Sequence, residues 1–471
     1  MNILFVLYGG FETNSSILLT LFAKELTKRG HQCAIVIHSD HQEGVIEHQE
    51  YISSFHPAKV LENPGCCFKN NRRADIIHAW TPRQNVCQFV LDYQAHYPTP
   101  LLIYSEDNEE WISTQFIDRS GSKIEEETEA SLQMKIPTCL SHPYNYKAFL
   151  GLADAAAIII PKLVEDIPSW LFYEVIMTGV DLDYFYPRSA NNALKEALHL
   201  KPQQKIIVYC GGVNQFTAQS IKSLCQMVFL LNKEGCSCRL LRSGREKLSI
   251  IPGITAKELK YVSDLGILPR SELPNLMSLA DVFVQPGVPS PFEELRLPCK
   301  IPEFMAMGIP TILPNCNIAS LMTHGEDALI HETGALEEIT TLCKKVFCDE
   351  ILTRKLKEGA RQFAVKYFDY QQKVDQLEKL YQKAMDQYHN HQSQLFWESN
   401  SSEKSPSRLF VKKLHHLLQQ TESFSQERQK GITAELAAVA LDFQERLCLR
   451  DRQFEHLKKK RKSKIARLFG Y

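Results

Sequence analysis

The chain has 471 residues, room for about three domains, with 54 Lys+Arg against 55 Asp+Glu and 44% hydrophobic residues. That balance excludes a collagen, a disordered scaffold and a disulfide miniprotein, and no apolar run approaches the roughly 20 residues a bilayer span needs. Fourteen cysteines are too dilute for a disulfide framework, and the close pairs Cys66-Cys67 and Cys236-Ser-Cys238 lack the spacing of a structural zinc site, so a reducing cytoplasm and no metal are expected.

Ile3–Tyr8 is a strand-length apolar run without a basic leader and reads as a first β-strand, not a signal peptide. Ile17–Arg29 follows with Leu18, Leu21, Phe22 and Leu26 on one helical face, then Cys33–His38, Asp75–Ala79 and Leu101–Ser105 as further strands. The alternation predicts βαβ units around a parallel sheet, whose strands are continuously apolar because both faces are covered. After the Pro-bounded segment Gly179–Pro187 the rhythm restarts with strand Ile206–Cys210, Gly211-Gly212 and helix Ser220–Leu231. Strands follow at Leu240–Leu241, Val262–Leu265, Val282–Val284 and Pro310–Leu313, with helices at Lys300–Met307, Leu336–Cys348 and Leu352–Tyr367. This is an α/β chain of two open halves, 1–180 and 181–387, facing across a cleft at the carboxyl ends of their strands.

Residues 388–408 turn polar and Ser/Asn/His-rich, as a linker does, and 409–471 repeat Phe410, Leu414, Leu417 and then Leu436, Val439, Phe443, Leu447 at helical spacing. Residues 401–471 carry 16 Lys+Arg and 8 Asp+Glu, whereas residues 1–400 are net acidic. Lys458–Arg467 holds seven cations and no acid, followed by Leu468 and Phe469. Segment 458–469 suits an anionic membrane surface, which would make the chain a peripheral protein on the inner face. A solvated end is the alternative, and sparse aromatics argue against nucleic acid. Residues 409–457 are candidates for self-association or packing on the body.

Chemistry concentrates in Pro291–Pro310, PFEELRLPCKIPEFMAMGIP. Pro298 predicts a helix start, leaving free N–H groups for a phosphate, with Lys300 adding a charge and Glu303 one turn in, where a carboxylate can hold a ribose diol. Arg242 follows the Leu240–Leu241 strand, with a surface cation that has no ligand as the alternative; Trp80, His78 and Arg83 close another strand, where an indole can stack on a sugar and His78 and Arg83 can meet an acceptor or a phosphate, a buried, satisfied histidine being the alternative for His78. Ser105-Glu-Asp-Asn-Glu-Glu110 puts Glu106 and Asp107 after the next strand, placed to bind sugar hydroxyls or orient an acceptor; a solvated charge run is the alternative.

Four stretches resemble the retaining glycosyltransferases of family 4, which have the two-Rossmann GT-B fold. These are Gly9-Gly10 with Ala23–His31, Gly179–Pro187, Tyr209-Cys-Gly-Gly212, and Glu303-Phe-Met-Ala-Met-Gly-Ile-Pro-Thr311. The resemblance spans Met1 to about Tyr381. It implies two facing Rossmann-like domains, an N-terminal acceptor domain and a C-terminal donor domain whose last helix crosses back, plus the helical tail as an extension. It further implies transfer of a hexose from a nucleotide-diphosphate sugar to a hydroxyl of a glycan or lipid-linked acceptor, with retention and without metal or cofactor, in surface polysaccharide or lipopolysaccharide assembly. A non-catalytic glycan- or nucleotide-binding assembly subunit is the alternative.

Carried over by position, Glu303 holds the ribose, and Gly9, Gly10, Gly211 and Gly212 let backbone approach the donor. Lys300, Arg242 and Arg296 neutralise the diphosphate, while Glu106, Asp107 and His78 are candidate catalytic groups and Trp80 and Arg83 face the acceptor. The chain departs from the pattern where the family has an acid eight positions before the ribose Glu: Leu295 stands there, with Glu293 and Glu294 adjacent, Glu294 being the donor-side candidate. It also has Gly212 and Thr217 where the family has Arg and Lys.

Overall fold

The structure, a computed structural model, describes residues 1–39, 52–119, 132, 135–143, 145–214 and 216–398. The first lobe is a seven-stranded sheet of β1 (Asn2–Leu7), β2 (Gln32–Ile37), β3 (Ser53–Phe55), β4 (Ile76–Trp80), β5 (Leu101–Ser105), β6 (Ala155–Ile158) and β7 (Tyr173–Val175). Its order is β3-β2-β1-β4-β5-β6-β7 and every pairing is parallel. β1 and β4 to β6 are buried along their whole length, the physical reason they read as unbroken apolar runs.

The second lobe holds β8 (Lys205–Cys210), β9 (Cys238–Ser243) and β10 (Val262–Asp264), then β11 (Phe283–Val284), β12 (Thr311–Pro314) and β13 (Leu329–His331). They form two parallel three-stranded sheets, β10-β9-β8 and β11-β12-β13, linked by a parallel bridge from Ile207 to Val282. In both lobes strand order reverses beside the first strand, between β1 and β4 and between β8 and β11. Ligands of open α/β sheets bind outside the carboxyl ends at such a reversal.

The chain passes between lobes twice, at Gly179-Val180 and at Phe368-Asp369, and the passages touch: Val180 N–H donates to Phe368 O at 2.7 Å. Gly179 is required there, since a Cβ would lie 2.7 Å from Tyr370 Cβ and 2.9 Å from its Cα. The helix Tyr370–Glu398 then lies on the first lobe, against the helix Asn14–Lys28 and β5 to β7. Arg29 pins it through Asp375 (2.5 Å) and Glu378 (2.6 Å). This helix continues through 388–398, where composition predicted a linker, because its inner face stays apolar to Ala384 and carries the outer turns with it. The predicted tail 409–471, with segment 458–469, lies outside the described residues.

Candidate active site

At the carboxyl end of the first sheet, the turn after β1 presents Gly9 and Gly10. Gly10 N–H donates to Glu12 Oε1 at 2.9 Å, and a Cβ on Gly9 would meet Thr13 Cγ2 at 2.7 Å, so the turn tolerates no side chain there. Thr13 caps the following helix by accepting from Ser16 N–H. Glu12, which sequence reasoning passed over, keeps its other carboxylate oxygen without a described partner.

Glu106 stands beside this turn. Trp80 Nε1–H donates to its Oε2 at 2.8 Å and Ser15 Oγ donates to its Oε1, so both oxygens are oriented. Asp107 lies 3.7 Å from Arg83, whose guanidinium sits 3.8 Å over the Tyr8 ring and shares its Nε–H between both oxygens of Glu109 at 3.3 Å. Burial, and then the charge of Glu106, push the Asp107 carboxyl up to about 7, and burial raises Glu106 as well.

Two residues placed in this cleft by sequence reasoning are elsewhere. Trp80 has no exposed surface: it stacks on Tyr104 at 4.5 Å and on His78 at 5.2 Å, and therefore offers no face to a sugar. His78 is equally buried, bonded through Nδ1 to Tyr381 Oη at 2.8 Å, and desolvation pushes it down to about 3, so it stays neutral and away from substrate. A polar residue on a strand buried on both faces belongs to the core. Trp80 instead acts as a donor that orients Glu106.

In the second lobe the helix Lys300–Ala306 begins two residues after Pro298, anchored by Ile301 N–H to Pro298 O at 3.0 Å and by Phe304 stacked 4.1 Å from Phe283. It spans only seven residues, so its dipole contributes less than the predicted phosphate cradle assumed. Glu303 is almost buried, and one carboxylate oxygen, Oε1, meets Arg270 Nη2 at 2.6 Å. Lys300 Nζ rests 3.4 Å from Tyr209 Oη and 4.8 Å from the ring centroid, beside Gly211 at the end of β8.

Arg242 reaches the same strand end from below but is fully buried. Its guanidinium donates to Asp264 (3.0 Å), Gly211 O (2.8 and 3.0 Å), Glu246 O (2.6 Å) and Arg245 O, leaving nothing for a diphosphate. It is a structural strut for the Gly211-Gly212 turn, correcting the donor-side assignment. Thr217 closes the same loop, its hydroxyl donating to Gly212 O at 3.0 Å. Arg296 lies 3.6 Å from Glu293 and 4.8 Å over Phe292, and Glu294 accepts from Asn317 N–H at 3.3 Å while pairing with Lys162 of the first lobe at 3.6 Å.

The lobes meet over this site. Trp111 of the first lobe stacks on Phe292 of the second with centroids 4.0 Å apart, and Phe216 lies 5.6 Å from Trp111. Cys299, beside Lys300, is pushed up to about 12 by burial first and then by the charges of Glu106 from one lobe and Glu303 from the other. Among the described residues no cluster of three His, Cys, Asp or Glu is placed to hold a metal, and no helix is long and apolar enough to cross a membrane.

The comparisons agree with this architecture. Residues 204–349 match the family model described as Glycosyl transferases group 1. That match falls within the second lobe. Sucrose-phosphate synthase from Thermosynechococcus elongatus is similar in structure, with TM-score 0.60 and 17% identity, covering 85% of this chain and 100% of that one. HepE of Anabaena, solved with UDP and glucose, gives TM-score 0.59 at 16% identity over 80% and 98% of the two chains. WaaG, a glycosyltransferase involved in lipopolysaccharide biosynthesis, gives 0.54 at 14% over 82% and 98%. A comparison with curated protein sequences finds none that matches. These likenesses establish the GT-B fold, two Rossmann-like lobes facing across a cleft.

Proposed function

We propose that the chain is a retaining glycosyltransferase that moves a hexosyl group from a nucleoside-diphosphate sugar to a hydroxyl acceptor in surface polysaccharide or lipopolysaccharide assembly. The observation that carries this is Glu303: within a group 1 domain, at the rim of the cleft, its Oε1 is held by Arg270 while Oε2 has no described hydrogen-bond partner and can accept from a ribose diol. Neighbouring folds occupied by UDP and glucose support the same class of donor.

In the step, the bond from the anomeric carbon to the diphosphate oxygen breaks and a bond to the acceptor oxygen forms on the same face. The acceptor proton passes to the departing phosphate, which removes the need for a side-chain base. Lys300 stabilises the charge on the leaving group, and Glu106, with both oxygens oriented, binds hydroxyls of the sugar or acceptor. Turnover needs no metal on this reading; loss of activity in EDTA with recovery on adding a divalent ion contradicts it. Segment 458–469 serves as a reversible contact with anionic lipid, and unchanged binding to anionic vesicles after deletion of 456–471 contradicts that.

The test is a panel of nucleotide-sugar donors with purified protein, coupled to nucleoside-diphosphate release. One donor should be turned over, and Glu303→Ala should abolish the turnover. Release by none, or an unaffected Glu303→Ala variant, refutes the reading.

A further inference from the structure

The site has a charge problem that its sequence does not solve. A departing diphosphate needs cations, yet the loop positions after β8 hold Gly212 and Thr217, and Arg242 is fully engaged beneath them. Arg296 is held beside Glu293 on the Phe292 ring, and Lys300 offers a single point charge.

Arg270, in the loop after β10, supplies what is missing. Its backbone is fixed by Tyr184 Oη donating to Arg270 O at 3.2 Å, and its guanidinium lies 5.3 Å from the Phe185 ring. One of its five N–H groups goes to Glu303. Its Nε and Nη1 hydrogens have no hydrogen-bond partner among the described residues, and the side chain, 16% exposed, leaves them open to a ligand. It pairs with Glu303 at 2.6 Å and its charge reaches the Cys210 thiol at the end of β8, which sets it beside the residues that the donor reading uses.

We propose that Arg270 binds the donor's diphosphate, so that the Arg270–Glu303 pair reads a nucleoside diphosphate as one unit, carboxylate on the ribose and guanidinium on the phosphates. The diol and the 5′-diphosphate hang from the same five-membered ring, so two side chains in contact can serve both. A guanidinium fork matches phosphate oxygens at two points, which an ammonium cannot. The pair also makes Arg270 a selectivity element, favouring diphosphates over nucleosides. The inference rests on the donor reading above.

Calorimetric binding of UDP, GDP, ADP and dTDP, each beside its free nucleoside, tests it. In the unaltered chain at least one diphosphate should bind more tightly than its nucleoside. Arg270→Met should weaken the diphosphate about ten- to a hundred-fold and leave the nucleoside nearly unchanged. Because Arg270→Met strands a buried carboxylate, the same comparison is made between Glu303→Gln and the double variant Glu303→Gln/Arg270→Met, in which no charge is stranded. Equal weakening of both ligands in both backgrounds means that Arg270 only positions Glu303, and it overturns the proposal. Failure of the unaltered chain to bind any of the four diphosphates removes the donor reading and this role together.

Discussion

Arg242→Met separates a buried strut from a ligand contact. The guanidinium makes five hydrogen bonds, to one carboxylate and three carbonyl oxygens, with no exposed surface. Methionine fills much of the volume but donates to none of them. Asp264 is about a quarter exposed and can recover water, and Arg245 O keeps the Val213 N–H at 3.4 Å, whereas the carbonyls of Gly211 and Glu246 lose the Arg242 donor. A carbonyl left without its donor away from water costs about 1–3 kcal/mol, so the two together cost roughly 2–6 kcal/mol. For a lobe of this size each kcal/mol lowers the midpoint by roughly 2–4 °C, so unfolding of the second lobe should move down by on the order of 10 °C. Scanning calorimetry reads this, and nucleotide titration at a temperature where both forms are folded reads the site. Nucleotide affinity should change far less than stability. A midpoint within about 2 °C of the unaltered chain, joined to a tenfold loss of affinity, would falsify the assignment and return Arg242 to the donor.

Two further outcomes follow from the same geometry. The Asp107 carboxyl titrates near 7 in the fold against about 3.9 in an unfolded chain, so the fold binds that proton more tightly; the burial penalty is absent below pH 4, grows as pH rises and is complete above 7. Asp107→Asn should accordingly gain stability relative to the unaltered chain between pH 5 and pH 8, and an unfolding difference that does not vary with pH contradicts this. Trp111→Ala removes the 4.0 Å stack on Phe292, an interaction worth about 0.5–1.5 kcal/mol beyond its burial, and should shift the lobes toward an open arrangement. A larger radius of gyration in small-angle scattering is expected, and identical scattering curves speak against a latch.

Much of the architecture was legible because periodicity carries it. Helix Leu336–Cys348 and strand Leu101–Ser105 match their apolar patterns residue for residue, since a covered strand or a helix face must show its burial in composition. Short edge strands escaped: β3 and β7 have three residues each, none of them buried, leaving no apolar run to find. Glu303 and Lys300 stand out through motif and charge, and they fold beside Arg270 and Tyr209. Trp80 and Arg242 were misplaced, and His78 took its buried alternative, because residue type says what a side chain can do, not whether water or ligand reaches it.

By itself, then, the order of residues determined two parallel α/β halves and the passage between them near Gly179. Only folding decided which charges are spent internally and which stay available. Arg242 and Arg270 are both arginines near the ends of neighbouring strands, yet one is sealed among carbonyls and the other opens onto the cleft beside Glu303. That difference arises chiefly from contacts between residues tens of positions apart, where burial and hydrogen bonding act on proximity in space and leave no mark on local pattern.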